Sequence, residues 1–227
     1  MPTVRETIAQ LKARARPDHL AGMARFGITT KKRLGVAIPE LRRLARQLGK
    51  NHRLALGLWK TGIPDAMILA AMVDEPEKVT AEQMDVWVKD LNSWDVCDQV
   101  CMNLFDKSPL AWKKVRQWAR AKEEFVKRAA FALIACLAWH DKRAPDSAFV
   151  KLIPLIKRAA RDERNYVKKA VSWALRHIGK RNRALHEVAL GAARELQAAD
   201  DRTARWIGAD AVRDLSKENT LRRLARA

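Results

Sequence analysis

The sequence predicts an all-α protein built of stacked helix pairs, and three observations carry that prediction. Good helix formers (Ala, Leu, Lys, Arg, Glu) dominate, while Gly, Pro and Tyr number only 9, 8 and 1 among 227 residues. Helix start and stop signals recur along the chain. A segment in the second half returns after a spacing of about 40 residues, a period that belongs to helical-repeat architectures.

Taken in order, Pro39 is placed to open a helix through Leu41, Leu44, Ala45 and Leu48, and Gly49 to close it. Pro64, Pro109 and Pro145 fall between periodic segments. Thr80 and Gln83 have capping-box spacing, in which each side chain bonds the other's backbone N–H. They lead into Met84, Trp87, Val88 and Leu91, one apolar stripe at i, i+3, i+4, i+7. Ala129 to Trp139 is an apolar run too short to cross a bilayer, which predicts a buried central helix. Gly179, just past Ile178, has the position of a helix-ending glycine. About twelve helices of roughly 9–16 residues are expected. No linker or compositional break divides the chain, so residues 1–227 read as a single domain.

The repeat sets Phe125-Val-Lys-Arg-Ala-Ala against Tyr166-Val-Lys-Lys-Ala-Val, with a weaker third copy at Thr203-Ala-Arg-Trp-Ile-Gly-Ala. Such a period in helical sequence marks HEAT-like repeats, whose helix pairs bury their apolar faces only by stacking into an α-solenoid superhelix with a concave side. The doublets Lys127-Arg128 and Lys168-Lys169 occupy the same place in two copies, so positive charge stacks along one helix layer. Two readings stand: a basic concave groove fitted to a phosphate backbone, or a solvated helix face.

The chain carries 45 Lys+Arg against 26 Asp+Glu, a net charge of +19. That excess favours an anionic partner, and nucleic acid is the commonest one for a compact basic domain. Cys97, Cys101 and Cys136 are odd in number and form no C-x-x-C, which predicts a reducing compartment. The amphipathic N-terminal segment lacks the apolar core of a signal peptide. The expected setting is cytoplasmic, of bacterial type and nucleoid-associated when bound to DNA, without membrane contact, and the expected state is a monomer.

Two stretches could carry chemistry. In Asn92-Ser-Trp-Asp-Val-Cys-Asp98, Trp94 and Asp98 are i, i+4 and share a helix face, whereas Asp95 points elsewhere. An indole attracts a cationic or electron-poor group. A carboxylate can stabilise positive charge developing at a sugar C1′ or orient a water. The competing reading makes Trp94 core and Asp98 a surface or capping residue. In the second stretch Lys169, Trp173 and Arg176 lie at i, i+4, i+7, either a stacking platform flanked by phosphate contacts or a buried Trp with snorkelling neighbours.

On these stretches the sequence resembles the DNA alkylation repair glycosylases of the AlkD-like family. The resemblance runs from Leu34-Gly-Val-Ala-Ile-Pro-Glu-Leu-Arg42 through Ser93-Trp-Asp-Val-Cys-Asp98 and Phe125-Val-Lys-Arg-Ala-Ala130 to Tyr166-Val-Lys-Lys-Ala-Val-Ser-Trp173-Ala-Leu-Arg176. It implies a C-shaped superhelix that holds duplex DNA and hydrolyses the N-glycosidic bond of N3- or N7-alkylated purines, with no metal and no organic cofactor. It implies a site lined by Trp94, Asp98, Arg128 and Trp173. Asp98 would act electrostatically, the two tryptophans would pack against the lesion nucleotide, and Arg128 would hold a phosphate. Lys127, Lys168, Lys169 and Arg176 are the further expected DNA contacts. The chain departs from the pattern at Met23-Ala-Arg-Phe26, where another aromatic, often Tyr, is expected. Together with Lys168-Lys169 and the Cys97/Cys101 pair, this points to a separate branch of the family.

Other chemistries fail on the residues. Cys97 and Cys101 have no histidine nearby in sequence to complete a metal site. Cys136, beside His140-Asp141, sits within the apolar run, and no phosphate-binding glycine motif is present. The rival from another class is a non-catalytic HEAT-like scaffold for nucleic acid or protein.

Overall fold

The computed structural model describes residues 2–225, and among them no strand occurs. The chain forms two compact units that divide between Leu110 and Ala111, although its composition gives no sign of a break. Fifteen α-helices are present among the described residues. The count exceeds twelve, and some helices are shorter than expected, among them Leu20–Arg25, Asp146–Val150 and Ile153–Ala159.

The first unit contains α1 (Val4–Lys12), α2 (Leu20–Arg25), α3 (Ile38–Leu48), α4 (His52–Trp59), α5 (Pro64–Val73), α6 (Ala81–Lys89) and α7 (Trp94–Asn103). α5 is apolar all round and nearly every residue in it is buried, which makes it the unit's centre. It packs against α3, α4 and α7. The one carboxylate in α5, Asp65, is buried because its oxygens accept the backbone N–H groups of Leu34 and Val36, each at 2.8 Å. This pins the loop entering α3. Gly35 in that loop has φ +77°, and a Cβ there would lie 2.3 Å from the Arg16 carbonyl oxygen. Pro39 and Gly49 bound α3 as expected, Gly49 in the left-handed region at φ +69°. Thr80 caps α6 by accepting from the Gln83 N–H. The other half of the expected capping box is missing. Gln83 Nε2 donates to Asp74 Oδ2 at 2.7 Å instead, a charged acceptor that outcompetes the local bond.

The second unit contains α8 (Ala111–Trp118), α9 (Glu124–His140), α10 (Asp146–Val150), α11 (Ile153–Ala159), α12 (Asn165–Gly179), α13 (Arg183–Gln197), α14 (Arg202–Leu215) and α15 (Glu218–Ala225). α12 packs between α9 and α14 to form one layer, and α8, α11 and α13 back it. The three sequence repeats are these three helices. Their equivalence is visible where Phe125 and Tyr166 bring ring centroids to 5.3 Å. The apolar run is buried from Ala129 to Ala138, as its composition requires. Gly179 ends α12, as its place after Ile178 predicts, and does so as the last helical residue with no positive φ. A Cβ there would lie 2.8 Å from Leu215 and 2.9 Å from Ala189, so the glycine permits close helix packing. No helix among the described residues is long and apolar enough to cross a membrane.

Candidate functional site

Trp94 opens α7, and Asp98 follows one turn later on the same helix. Both are half-buried, which removes the reading of Trp94 as core. The segment Phe26–Arg33 is tied to this helix start by a chain of polar contacts. The Trp94 indole N–H donates to the Phe26 carbonyl at 2.9 Å. Thr29 N donates to Ser93 Oγ at 3.2 Å, and Thr29 Oγ1 donates to the Asn92 carbonyl at 3.1 Å. The Ser93 hydroxyl donates to Asp95 at 2.6 Å. Arg33 then grips Asp95 with both terminal nitrogens, at 2.8 and 3.1 Å, and donates from Nε to the Thr29 carbonyl at 2.9 Å. Asp95 thus works structurally. The ring of Phe26, 76% exposed, takes no part in the hydrogen bond to Trp94. Its backbone does the positioning.

Trp173, Arg128, Lys127, Lys168, Lys169 and Arg176 all belong to α9 and α12 of the second unit, and their surroundings differ sharply. Arg128 is 4% exposed, and its Nη1 donates to the Tyr166 carbonyl at 2.7 Å, so its charge sits within the layer at the start of α12. Lys127 pairs with Asp162 at 3.1 Å. That carboxyl is pulled down to about 2, first by hydrogen bonds from Arg164 and then by Lys127, against the opposing effect of burial. Lys168 Nζ stands 5.1 Å from the Trp206 ring, a cation–π contact between the second and third repeats. Lys169 is exposed. Arg176 lies 3.5 Å from Asp210 and 3.6 Å from Asp214, so it is paired with acidic groups of α14. The two doublets share a sequence position but not surroundings: Lys127 and Arg128 are committed to Asp162 and the Tyr166 carbonyl, Lys168 packs on Trp206, and Lys169 alone is exposed.

Sequence reasoning missed an aromatic–imidazole cluster at the C-terminal ends of α9 and α12. Trp139, 49% exposed, stacks on His140 with centroids 4.9 Å apart. It also lies 6.1 Å from His177, which meets Trp173 edge-on at 5.7 Å. The one signal for it was Trp139 ending the apolar run. Arg33, far from Asp95 in sequence, left no local signal at all.

His177 is held neutral. Burial pushes its pKa down to about 4, and Lys180 and Arg176 push in the same direction. A histidine whose folded pKa lies below its unfolded value near 6.5 contributes stability above 6.5 that is lost as pH falls towards 4. We expect the melting temperature of the second unit to fall through that window, and His177→Gln to flatten the fall. Calorimetry across the range checks both.

The pairwise stacking, the in-register repeats and the basic helix layer define a HEAT-like helical-repeat protein. Its fold is that of a solved protein described as representing a new family related to the HEAT-like repeat DNA glycosylases, with affinity for branched DNA structures. The two align with a TM-score of 0.78 at 19% identity, over 93% of this chain and 95% of the other. The sequence profile of the DNA alkylation repair enzyme family matches residues 7–215, and the chain belongs to that family. It is also 24% identical over 165 residues to an uncharacterized protein of Listeria innocua, covering 71% of each chain.

Proposed function

We propose that this protein is a DNA glycosylase that releases N3- or N7-alkylated purines from duplex DNA. The observation that carries this reading is the Trp94–Asp98 pair on one turn of α7, braced by the Phe26–Arg33 segment. Alkylation makes the purine cationic, so cleavage of the C1′–N bond returns its electron pair to the ring and discharges it as a neutral base. The leaving group needs no strong general acid. The sugar becomes electron-poor, and the Asp98 carboxylate offsets that charge while water adds at C1′ and loses its proton to Asp98 or solvent. Trp94 supplies indole surface to the lesion nucleotide, and Trp173 in the second unit offers indole surface to DNA. Lys168 and Lys169 contact phosphate, and Arg128 is a fixed positive charge within the same helix layer. This chemistry uses no metal or organic cofactor, and a monomer suffices.

The test is release of free base from a duplex carrying N7-methylguanine, followed by chromatography, with release expected. Binding gives a second handle. Replacing Lys168 and Lys169 together by glutamine removes two phosphate contacts, so the salt-dependence slope of duplex binding should drop by about 1 to 2. An unchanged slope would take those lysines out of the interface.

A second reading, a non-catalytic binder of branched DNA, is favoured by one observation. The exposed Trp139 stacked on His140 offers a surface for an unpaired base. Tight binding to a branched duplex without base release would select it.

A further inference from the structure

We infer that the first unit carries a separate binding site for a small aromatic anion, in a cavity of about 730 Å³ between α4 and α6. That volume lies within the usual range for small-molecule pockets. Its inner wall is apolar: Trp59 and Trp87 stack with centroids 3.9 Å apart and planes within 5°, beside Met67 of α5. The Trp59 indole N–H is anchored on Asp90 at 2.8 Å, which fixes the ring pair in place. Both tryptophans are buried, whereas the lining lysines, Lys31, Lys32 and Lys60, are exposed. The rim sets these three ammonium groups against two carboxylates, Glu82 and Asp90, and Asp90 already accepts the Trp59 indole N–H. An apolar wall beneath a rim of net positive charge fits a flat apolar body with a negatively charged head. It does not fit a bare phosphate, which gains nothing from the wall.

The backbone supports a binding role for the rim. Lys32 is the one non-glycine residue with positive φ among those described, at 59°. A side chain in this region is strained, and such strain clusters at ligand clamps. Facing it, Gly62 also has positive φ, and a Cβ there would lie 4.0 Å from Lys32 Nζ. A residue chosen only for the turn would be glycine or asparagine. A lysine there puts its ammonium at the cavity mouth.

The probe is 1-anilinonaphthalene-8-sulfonate, titrated into the native protein and followed by its emission. One saturable site per chain is expected. Lys32→Gly should weaken binding about tenfold while leaving the melting temperature unchanged or higher, because it removes the ammonium and the strain together. Val86→Glu, at an exposed residue lining the cavity, should weaken binding similarly without loss of fold. Probe bound equally well by both variants, bound at no saturable site, or displaced as readily by inorganic phosphate as by excess aromatic sulfonate would overturn the proposal. None of these outcomes depends on glycosylase activity.

Discussion

Arg33→Met should destabilise the first unit by about 3 to 5 kcal/mol, the range for removing one partner of a buried ion pair. The Arg33 side chain is 3% exposed and Asp95 14%, so the abandoned carboxylate cannot recover its hydration. The loss spreads further, because Arg33 also holds the Thr29 carbonyl, and Thr29 in turn holds Ser93 and Asn92. Urea unfolding measures the stability. Amide hydrogen exchange should show faster opening from Phe26 to Trp94, with α8 to α15 unaffected. If base release occurs in the native protein, it should fall in Arg33→Met even under conditions where the fold survives, since Trp94 loses its brace. A double variant, Arg33→Met with Asp95→Leu, removes the orphaned charge and should recover part of the stability but not the positioning.

Gly208→Ala should cost about 3 kcal/mol, the upper part of the range for overpacking. A Cβ at Gly208 would lie 2.2 Å from the Gln197 backbone nitrogen and 2.5 Å from the Ala193 carbonyl oxygen. Backbone cannot move aside as a flexible side chain can, so α14 must separate from α13. Gly191→Ala is the internal contrast. That position lies within α13 with nothing within 4 Å of an added Cβ, so alanine should stabilise by about 0.5 to 1 kcal/mol. Equilibrium unfolding of both variants separates the effect of helix approach from that of helix propensity.

Much of the fold was legible because its determinants are local. The start and end of α3 follow from Pro39 and Gly49, the stripe of α6 from the spacing of Met84, Trp87 and Val88, and the side-by-side layer from the repeat of Phe125 in Tyr166. What escaped depends on residues distant in sequence. The second half of the Thr80–Gln83 box was lost to Asp74, and Gly179 serves neighbours on α13 and α14 that no local pattern reveals. At the candidate site, the shared face of Trp94 and Asp98 was readable from an i, i+4 spacing. The likeness of the two basic doublets was only partly informative. Sequence position placed Lys127 and Lys168 alike, but Asp162 and Trp206, the groups that decide what each cation does, come from the following repeat in each case. The clasp that sets Trp94 comes from a loop far earlier in the chain, ahead of α3.

The proposed role of Asp98, beside Trp94, as the reactive carboxylate of a DNA glycosylase is tested most directly by single-turnover release of N7-methylguanine from duplex DNA, with the native protein and Asp98→Asn compared. Release by the native protein is expected, with a loss of about 100- to 1000-fold in the variant, as for removal of one transition-state electrostatic partner, and with duplex affinity unchanged. Equal release by the two proteins, or none by the native protein despite tight DNA binding, would contradict that role.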